Sequence, residues 1–259
     1  MRHGFFTAAG PLVFAHRGGS ALAPENTMAA FERAVALGTD GVELDVRASR
    51  DGRVMVHHDS TLDRTTTLRG PLAARTADEL SQVDVPHLRD VLHLCRHLRV
   101  IIEIKVNDAA FGRLVVDEVR RAKMVERVCV GGFRRGVLKA VRAEEPAMAT
   151  SAAREEVRLA LYRTWLHWPV MQPPYDGYQI PEMAGRTRVV SARFVEYAHA
   201  AGLGVQVWTV DDEPSAHRLL AWGVDALITD RPDVMVPLVR VFNAAREPEA
   251  SLSAAQARR

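Results

Sequence analysis

The chain has 259 residues, 47% of them hydrophobic and 25% charged, enough to bury a sizeable core and unlike a disordered tail. With 34 basic and 32 acidic residues the formal charge is +2, which excludes a chain-wide polyanion-binding surface of the kind nucleic-acid binders carry. No apolar run approaches the roughly 20 residues of a membrane-spanning helix, so no stable membrane insertion is expected, and two lone cysteines, Cys95 and Cys129, fit a reducing, cytoplasmic compartment.

The first strand is expected at Leu12–His16. Met28, Phe31, Ala34 and Val35 then fall at helical spacing, Gly38 stops that helix, and Gly41–Val46 follows as the second strand. After Val54-Met55-Val56-His57-His58-Asp59, the segment from His58 to Pro86 is polar and turn-rich, and reads as a short excursion. Helices at Leu88–Leu98, Phe111–Lys123, Arg135–Glu144 and Glu155–Trp165 alternate with strands at Val100–Lys105, Val128–Gly132 and Ala147–Ser151. Prolines mark Trp168–Arg188 as a loop holding one strand, Tyr178–Pro181.

Two more helix-glycine-strand units follow. The stripe Phe194, Val195, Ala198, Ala201 precedes Gly202 and the strand Gly204–Thr209; Ala216, Leu219 and Leu220 precede Gly223 and the strand Asp225–Thr229. A last helix is expected at Asp233–Ala245, with residues 246–259 as a frayed, disordered tail. Eight strands alternating with eight helices imply parallel strands with right-handed crossovers, and eight units in about 240 residues favour a closed α/β TIM (β/α)8 barrel over an open sheet. One domain, residues 1–245, is therefore expected.

Period-two geometry sends Val42, Leu44 and Val46 to one face of strand two and Glu43 and Asp45 to the other; Glu103 and Lys105 likewise oppose Ile102 and Ile104. The apolar faces must meet the helices, so the charged ones look into the barrel. Three converging carboxylates are tolerable there only with a cation, a shared proton or basic partners. A buried salt bridge of Lys105 with Glu103 is the structural alternative. Near the C-terminal ends of adjacent strands, a hard divalent ion on all-oxygen ligands, Mg2+ or Ca2+, is the economical reading.

His16 shares the inward register with Leu12 and Phe14, Arg17 stands at the mouth, and only one of His57 and His58 can face the same rim. A pair of imidazoles can divide proton removal and proton delivery. Glu43, Asp45 and Glu103 against Arg17 and Lys105 leave one negative charge; a divalent cation makes it positive, and a phosphodiester anion then neutralises the site.

The motifs His16-Arg17-Gly18, Pro24-Glu25-Asn26-Thr27, Glu43-Leu44-Asp45, His58-Asp59 with Leu62-Asp63-Arg64-Thr65-Thr66, Glu103-Ile104-Lys105, Trp208-Thr209-Val210 and Thr229-Asp230-Arg231-Pro232 occur in an order that resembles the glycerophosphodiester phosphodiesterase family. The resemblance implies a TIM barrel that hydrolyses small-molecule glycerophosphodiesters to sn-glycerol 3-phosphate and an alcohol. It implies His16 and His58, not His57, as the catalytic pair, Glu43, Asp45 and Glu103 as metal ligands, Arg17 and Lys105 on the phosphate, and Trp208 beside the glycerol. Gly132-Phe133 and Asp211 stand where the family often has Ser-Phe and Asn, departures that bear on the leaving-group pocket.

Structural readings accompany these. Asn26 or Thr27 caps the first helix, Trp208 fills the barrel, and Asp230 serves a turn. Three functional alternatives remain: a lysophospholipase D or sphingomyelinase D with an apolar rim from Trp165, Trp168 and Tyr175, a non-catalytic metal- and phosphoester-binding barrel, and Schiff-base chemistry at Lys105. The neighbouring Glu103 disfavours the last by keeping the amine protonated.

Overall fold

The computed structural model describes residues 2–169 and 172–256. In chain order its strands are β1 (Leu12–His16), β2 (Gly41–Ala48), β3 (Val54–Val56), β4 (Arg99–Ile104), β5 (Val128–Gly132), β6 (Ala149–Thr150), β7 (Gly177–Pro181), β8 (Met183–Ala184), β9 (Thr187–Arg188), β10 (Gly204–Trp208) and β11 (Ala226–Thr229). The helices are α1 (Met28–Leu37), α2 (Ala77–Ser81), α3 (Leu88–Leu94), α4 (Ala109–Arg121), α5 (Arg135–Glu144), α6 (Arg154–Trp165), α7 (Ala192–Ala200), α8 (Glu213–Ala221) and α9 (Pro232–Gln256).

Eight of the strands form the expected parallel wall in the order β6-β5-β4-β2-β1-β11-β10-β7. A parallel bridge between Ser151 and Gly177 joins the two ends, so the sheet curls into a barrel. Outward residues such as Val42, Leu44, Ile102 and Ile104 pack with Phe31, Leu88, Val115 and Leu138 of the helices, while Phe14, Ile101, Cys129, Ala226 and Ile228 fill the interior. Helix ends follow their local chemistry: the Thr27 side chain accepts from the Ala30 N–H to start α1, and Gly38, in the left-handed region at φ 73°, ends it.

The floor of the barrel is built from a segment with no sequence signal beyond two adjacent aromatics. Phe5 and Phe6, on a short 3-10 turn, are 1% and 3% exposed and join Phe14 in the interior. A side chain at Gly177 or Gly204 would strike the Phe6 ring at 2.5 or 2.3 Å, so glycine at both positions is what lets the ring in.

Elsewhere the structure departs from the expected pattern. β3 is an additional strand, paired antiparallel with the end of β2. The excursion after it is less irregular than its polarity suggests: it contains α2, opened by a capping box at Thr76 and Glu79, and buries a cluster of its own from Met55, Leu62, Leu72, Ala77, Leu80 and Val85. The Pro-rich segment holds the β8–β9 hairpin in addition to β7. α9 is described as far as Gln256, past the expected stop at Ala245, and residues 257–259 of the expected tail lie outside the described residues.

Candidate active site

Parallel register places His16 of β1 beside Glu43 of β2, and Asp45 beside Glu103 of β4. Alternation then turns all four side chains into the barrel at its C-terminal end. One oxygen from each of Glu43, Asp45 and Glu103 lies within 4.8 Å of the others. Glu43 and Asp45 are buried, at 4% and 1% exposure, where charge is costly without compensation.

The electrostatics show how far protein groups alone offset that cost. Burial, reinforced by the charges of Asp45 and Glu103, pushes the Glu43 carboxyl up to about 8. Glu103 is also raised by its burial, although Lys105 pulls the other way. Burial would raise Asp45 too, but the cations of Lys105 and Arg17 outweigh it and hold this carboxyl low. Lys105 Nζ lies 2.8 Å from Asp45 Oδ1 and 3.2 Å from Glu103 Oε1, and Arg17 Nε lies 3.3 Å from Asp45 Oδ2. An all-oxygen donor set of three carboxylates against the two cations Arg17 and Lys105 is short of positive charge and fits a hard divalent cation.

Each imidazole at the rim is held at one nitrogen. His16 Nδ1 lies 2.7 Å from Asp230 Oδ1, and its Nε2 is 3.8 Å from Glu43 Oε2. Burial lowers the affinity of His16 for a proton, but Glu43 and Asp230 together more than restore it. His58 Nδ1 lies 2.7 Å from Asp59 Oδ1. His57 points elsewhere, buried, with Nε2 3.1 Å from the Thr61 carbonyl. The alternation rule therefore holds, and His58 is the residue that reaches the cavity.

Behind these groups runs a charged network that sequence reasoning did not foresee. Arg64 Nε donates to Asp59 Oδ2 at 2.7 Å, and its two terminal nitrogens donate to Glu25 at 2.6 and 2.9 Å. Glu25 in turn accepts from Arg17 at 3.0 Å. The hydrogen bonds from Arg64 hold Asp59 well below the ordinary carboxylate range. One guanidinium thus ties His58, through Asp59, to Arg17, through Glu25. Asn26, buried with φ 59°, donates to Asp45 Oδ2 at 2.9 Å, so it steadies an acidic side chain while Thr27 takes the capping role. Arg17 itself is in the left-handed region at φ 52°, strained backbone of the kind that clusters at functional sites.

His16, Arg17, Glu43, His58, Glu103, Lys105 and Trp208 all line one cavity of about 450 Å3, with Asp45 set behind the wall. Its other side is mostly apolar. Two residues expected at a rim behave differently from the third: Trp165 and Trp168 are 51% and 62% exposed, whereas Tyr175 is buried, its hydroxyl 3.0 Å from that of Tyr178. None of the three lines the cavity. Asp230, read from sequence as a turn residue, is the partner of His16. Asp211 stabilises that turn by accepting from the Asp230 N–H at 2.8 Å and the Thr229 hydroxyl at 2.9 Å.

The model of the glycerophosphoryl diester phosphodiesterase family matches residues 16–234. A glycerophosphodiester phosphodiesterase of Caldanaerobacter subterraneus subsp. tengcongensis is 31% identical over 252 residues, covering 88% of this chain and 98% of its own. The crystal structure of a glycerophosphodiester phosphodiesterase from Agrobacterium tumefaciens superposes with a TM-score of 0.69 at 29% identity, over 86% of this chain and 97% of that one. A phosphodiesterase from Oleispira antarctica, solved with the product sn-glycerol-3-phosphate, gives a TM-score of 0.67 at 25% identity, over 86% of this chain and 94% of that one. Among the described residues, no helix is long and apolar enough to cross a membrane. With a family model spanning the barrel from His16 past β11, the chain belongs to the glycerophosphoryl diester phosphodiesterase family and is a phosphoric diester hydrolase.

Proposed function

We propose that the cavity hydrolyses glycerophosphodiesters to sn-glycerol 3-phosphate and an alcohol, with His16 and His58 as the acid-base pair. The observation that carries this reading is the arrangement of the two imidazoles: each is anchored at Nδ1 by an aspartate, and both line the cavity that contains Glu43 and Glu103. An aspartate on Nδ1 fixes the tautomer, leaves Nε2 for proton exchange and stabilises the imidazolium.

One imidazole accepts the proton of the attacking hydroxyl, from water or from the substrate's own glycerol. The other delivers a proton to the departing alkoxide, so the two imidazoles exchange protonation states with no net change in proton count. Where the glycerol hydroxyl attacks, water then opens the resulting cyclic phosphate with the two roles reversed, which gives sn-glycerol 3-phosphate and restores both imidazoles. Arg17 and Lys105 supply fixed positive charge beside the phosphoryl oxygens, and the Arg17 fork is aimed by Glu25. Trp208 walls the glycerol side. Glu43, Asp45 and Glu103 would hold one Mg2+ or Ca2+, which when bound supplies the further positive charge that draws electron density from the phosphoryl group. Two buried free cysteines accord with work in the reducing cytoplasm.

The test is a panel of glycerophosphodiesters, with a lysolipid alongside, assayed after chelation and again with magnesium, calcium, manganese and zinc restored singly. Turnover should vanish on chelation and return with a hard cation. His16→Ala and His58→Ala should each lower kcat by about 100-fold or more, the usual worth of a general acid or base. Full activity under chelation, or near-normal turnover in either variant, overturns the reading.

A further inference from the structure

We infer that the leaving alcohol accepted by this cavity carries no positive charge, so that polyol esters such as glycerophosphoglycerol are preferred over choline or ethanolamine esters. The inference rests on the phosphodiesterase reading and concerns the side of the cavity away from the histidines.

Recognition of an ammonium group is favoured by free carboxylates and by open aromatic faces, most strongly when several form a cage. Neither free carboxylates nor such a cage is present among the described residues of the cavity. The carboxylates that line the cavity, Glu43 and Glu103, belong to the acidic cluster. Glu155, Glu156 and Glu182, next in sequence to the lining residues Arg154, Val157 and Pro181, do not line the cavity and each has an arginine nearby. Glu182 is held by Arg188 at 2.6 Å and Arg218 at 2.9 Å, Glu156 by Arg142 at 3.0 Å, and Glu155 faces Arg134 at 3.9 Å. Phe133 is the aromatic ring at the mouth, and the Lys105 ammonium lies 5.3 Å from its centroid. A second cation on that ring would meet the first. Trp208 remains as a single ring, too little for a cage.

The charged side chain that the outer cavity does offer is a cation. Arg154, the first residue of α6, lines the cavity, is exposed, and makes no ion pair among the described residues. A trimethylammonium group in this half of the site would face Arg154, whose charge no described carboxylate pairs, while the charge of Lys105 is already taken up by Asp45 and Glu103. A neutral polyol would meet no such repulsion.

The experiment compares kcat/KM for glycerophosphoglycerol, glycerophosphocholine and glycerophosphoethanolamine with the cation-loaded full-length protein, in wild type and in Arg154→Glu and Arg154→Ala. Wild type should favour the glycerol ester over both amines by about tenfold or more, and Arg154→Glu, which reverses a charge, should narrow the ratio by about tenfold, with Arg154→Ala between. A choline ester turned over as well as the glycerol ester, or a ratio that Arg154→Glu leaves unmoved at unchanged Tm, overturns the inference while leaving the phosphodiesterase reading intact. Turnover of none of the three esters overturns both.

Discussion

Adding a divalent cation to chelator-treated protein at pH 7 should expel close to one proton. With its carboxyl pushed up to about 8, Glu43 in the metal-free site is protonated at neutrality to about 0.9 of a proton, shared with its neighbours in the cluster. A cation binds the ionised ligands, so that proton must leave. Calorimetric titration in buffers of different ionisation enthalpy reads the number directly as the slope of heat against that enthalpy. The release should fall to about 0.1 at pH 9, where the carboxyl is already ionised. Glu43→Gln should abolish it and weaken the cation.

The same shift sets a stability trend. A carboxyl whose affinity for protons rises on folding binds more protons folded than unfolded, so the chelated protein loses stability as pH climbs from about 4.5 to about 8. Saturating cation should flatten that slope. Release below about 0.2 of a proton at pH 7, or undiminished release from Glu43→Gln, would refute the assignment of a protonated acidic cluster waiting for a metal.

Three other perturbations probe separate parts of the structure. Asp230→Asn removes the anionic partner of His16 Nδ1; a hydrogen bond to a charged group is worth about 1.5–3 kcal/mol, so kcat should drop about 10- to 100-fold with little change in KM, and unaltered kinetics would return Asp230 to a turn residue. Arg64→Met should raise KM through Arg17 and lower kcat through His58, each by about fivefold given that Arg64 is half exposed, whereas Glu25→Gln moves mainly KM and Asp59→Asn mainly kcat; steady-state kinetics on the set would expose a network that is merely decorative. Phe6→Ala should cost about 3–5 kcal/mol in denaturant unfolding, because the ring fills the barrel floor; a cost below about 1 kcal/mol would show that the floor repacks.

The barrel and the acidic cluster were legible because each rests on a strict local period. Alternation in Gly41–Val46 and Val100–Lys105 leaves no other way to bury Val42, Leu44, Ile102 and Ile104, and it carries Glu43, Asp45 and Glu103 inward with them. Asp230 was within reach of the same logic: closure of the barrel sets Ala15 beside Thr229, so the residue after each comes to the same rim. Treating Asp230 through its local turn chemistry hid the neighbour that only the closed ring supplies. Arg64 gave no comparable hint, since its partners Glu25 and Asp59 come from two different loops. The apolar residues of the excursion, Leu62, Leu72, Leu80 and Val85, follow neither the helical nor the strand period, and their shared burial was invisible to pattern reading. Tyr175 misled for a simpler reason: it sits among prolines, yet its hydroxyl has a buried partner in Tyr178.

The separate apolar cluster beneath the excursion leaves the two imidazoles on footings of unequal firmness. His16 ends a strand hydrogen-bonded on both sides within the closed wall, whereas His58 follows the short edge strand β3, is tied to β2 on one side through the His57 N–H and its own carbonyl, and on the other opens into an excursion with an apolar cluster of six side chains of its own. Sub-global opening follows such divisions. With His58 in the role proposed for it, gentle warming should therefore silence the enzyme before the barrel melts, and cooling should revive it, because the excursion that loosens has an intact scaffold to return to.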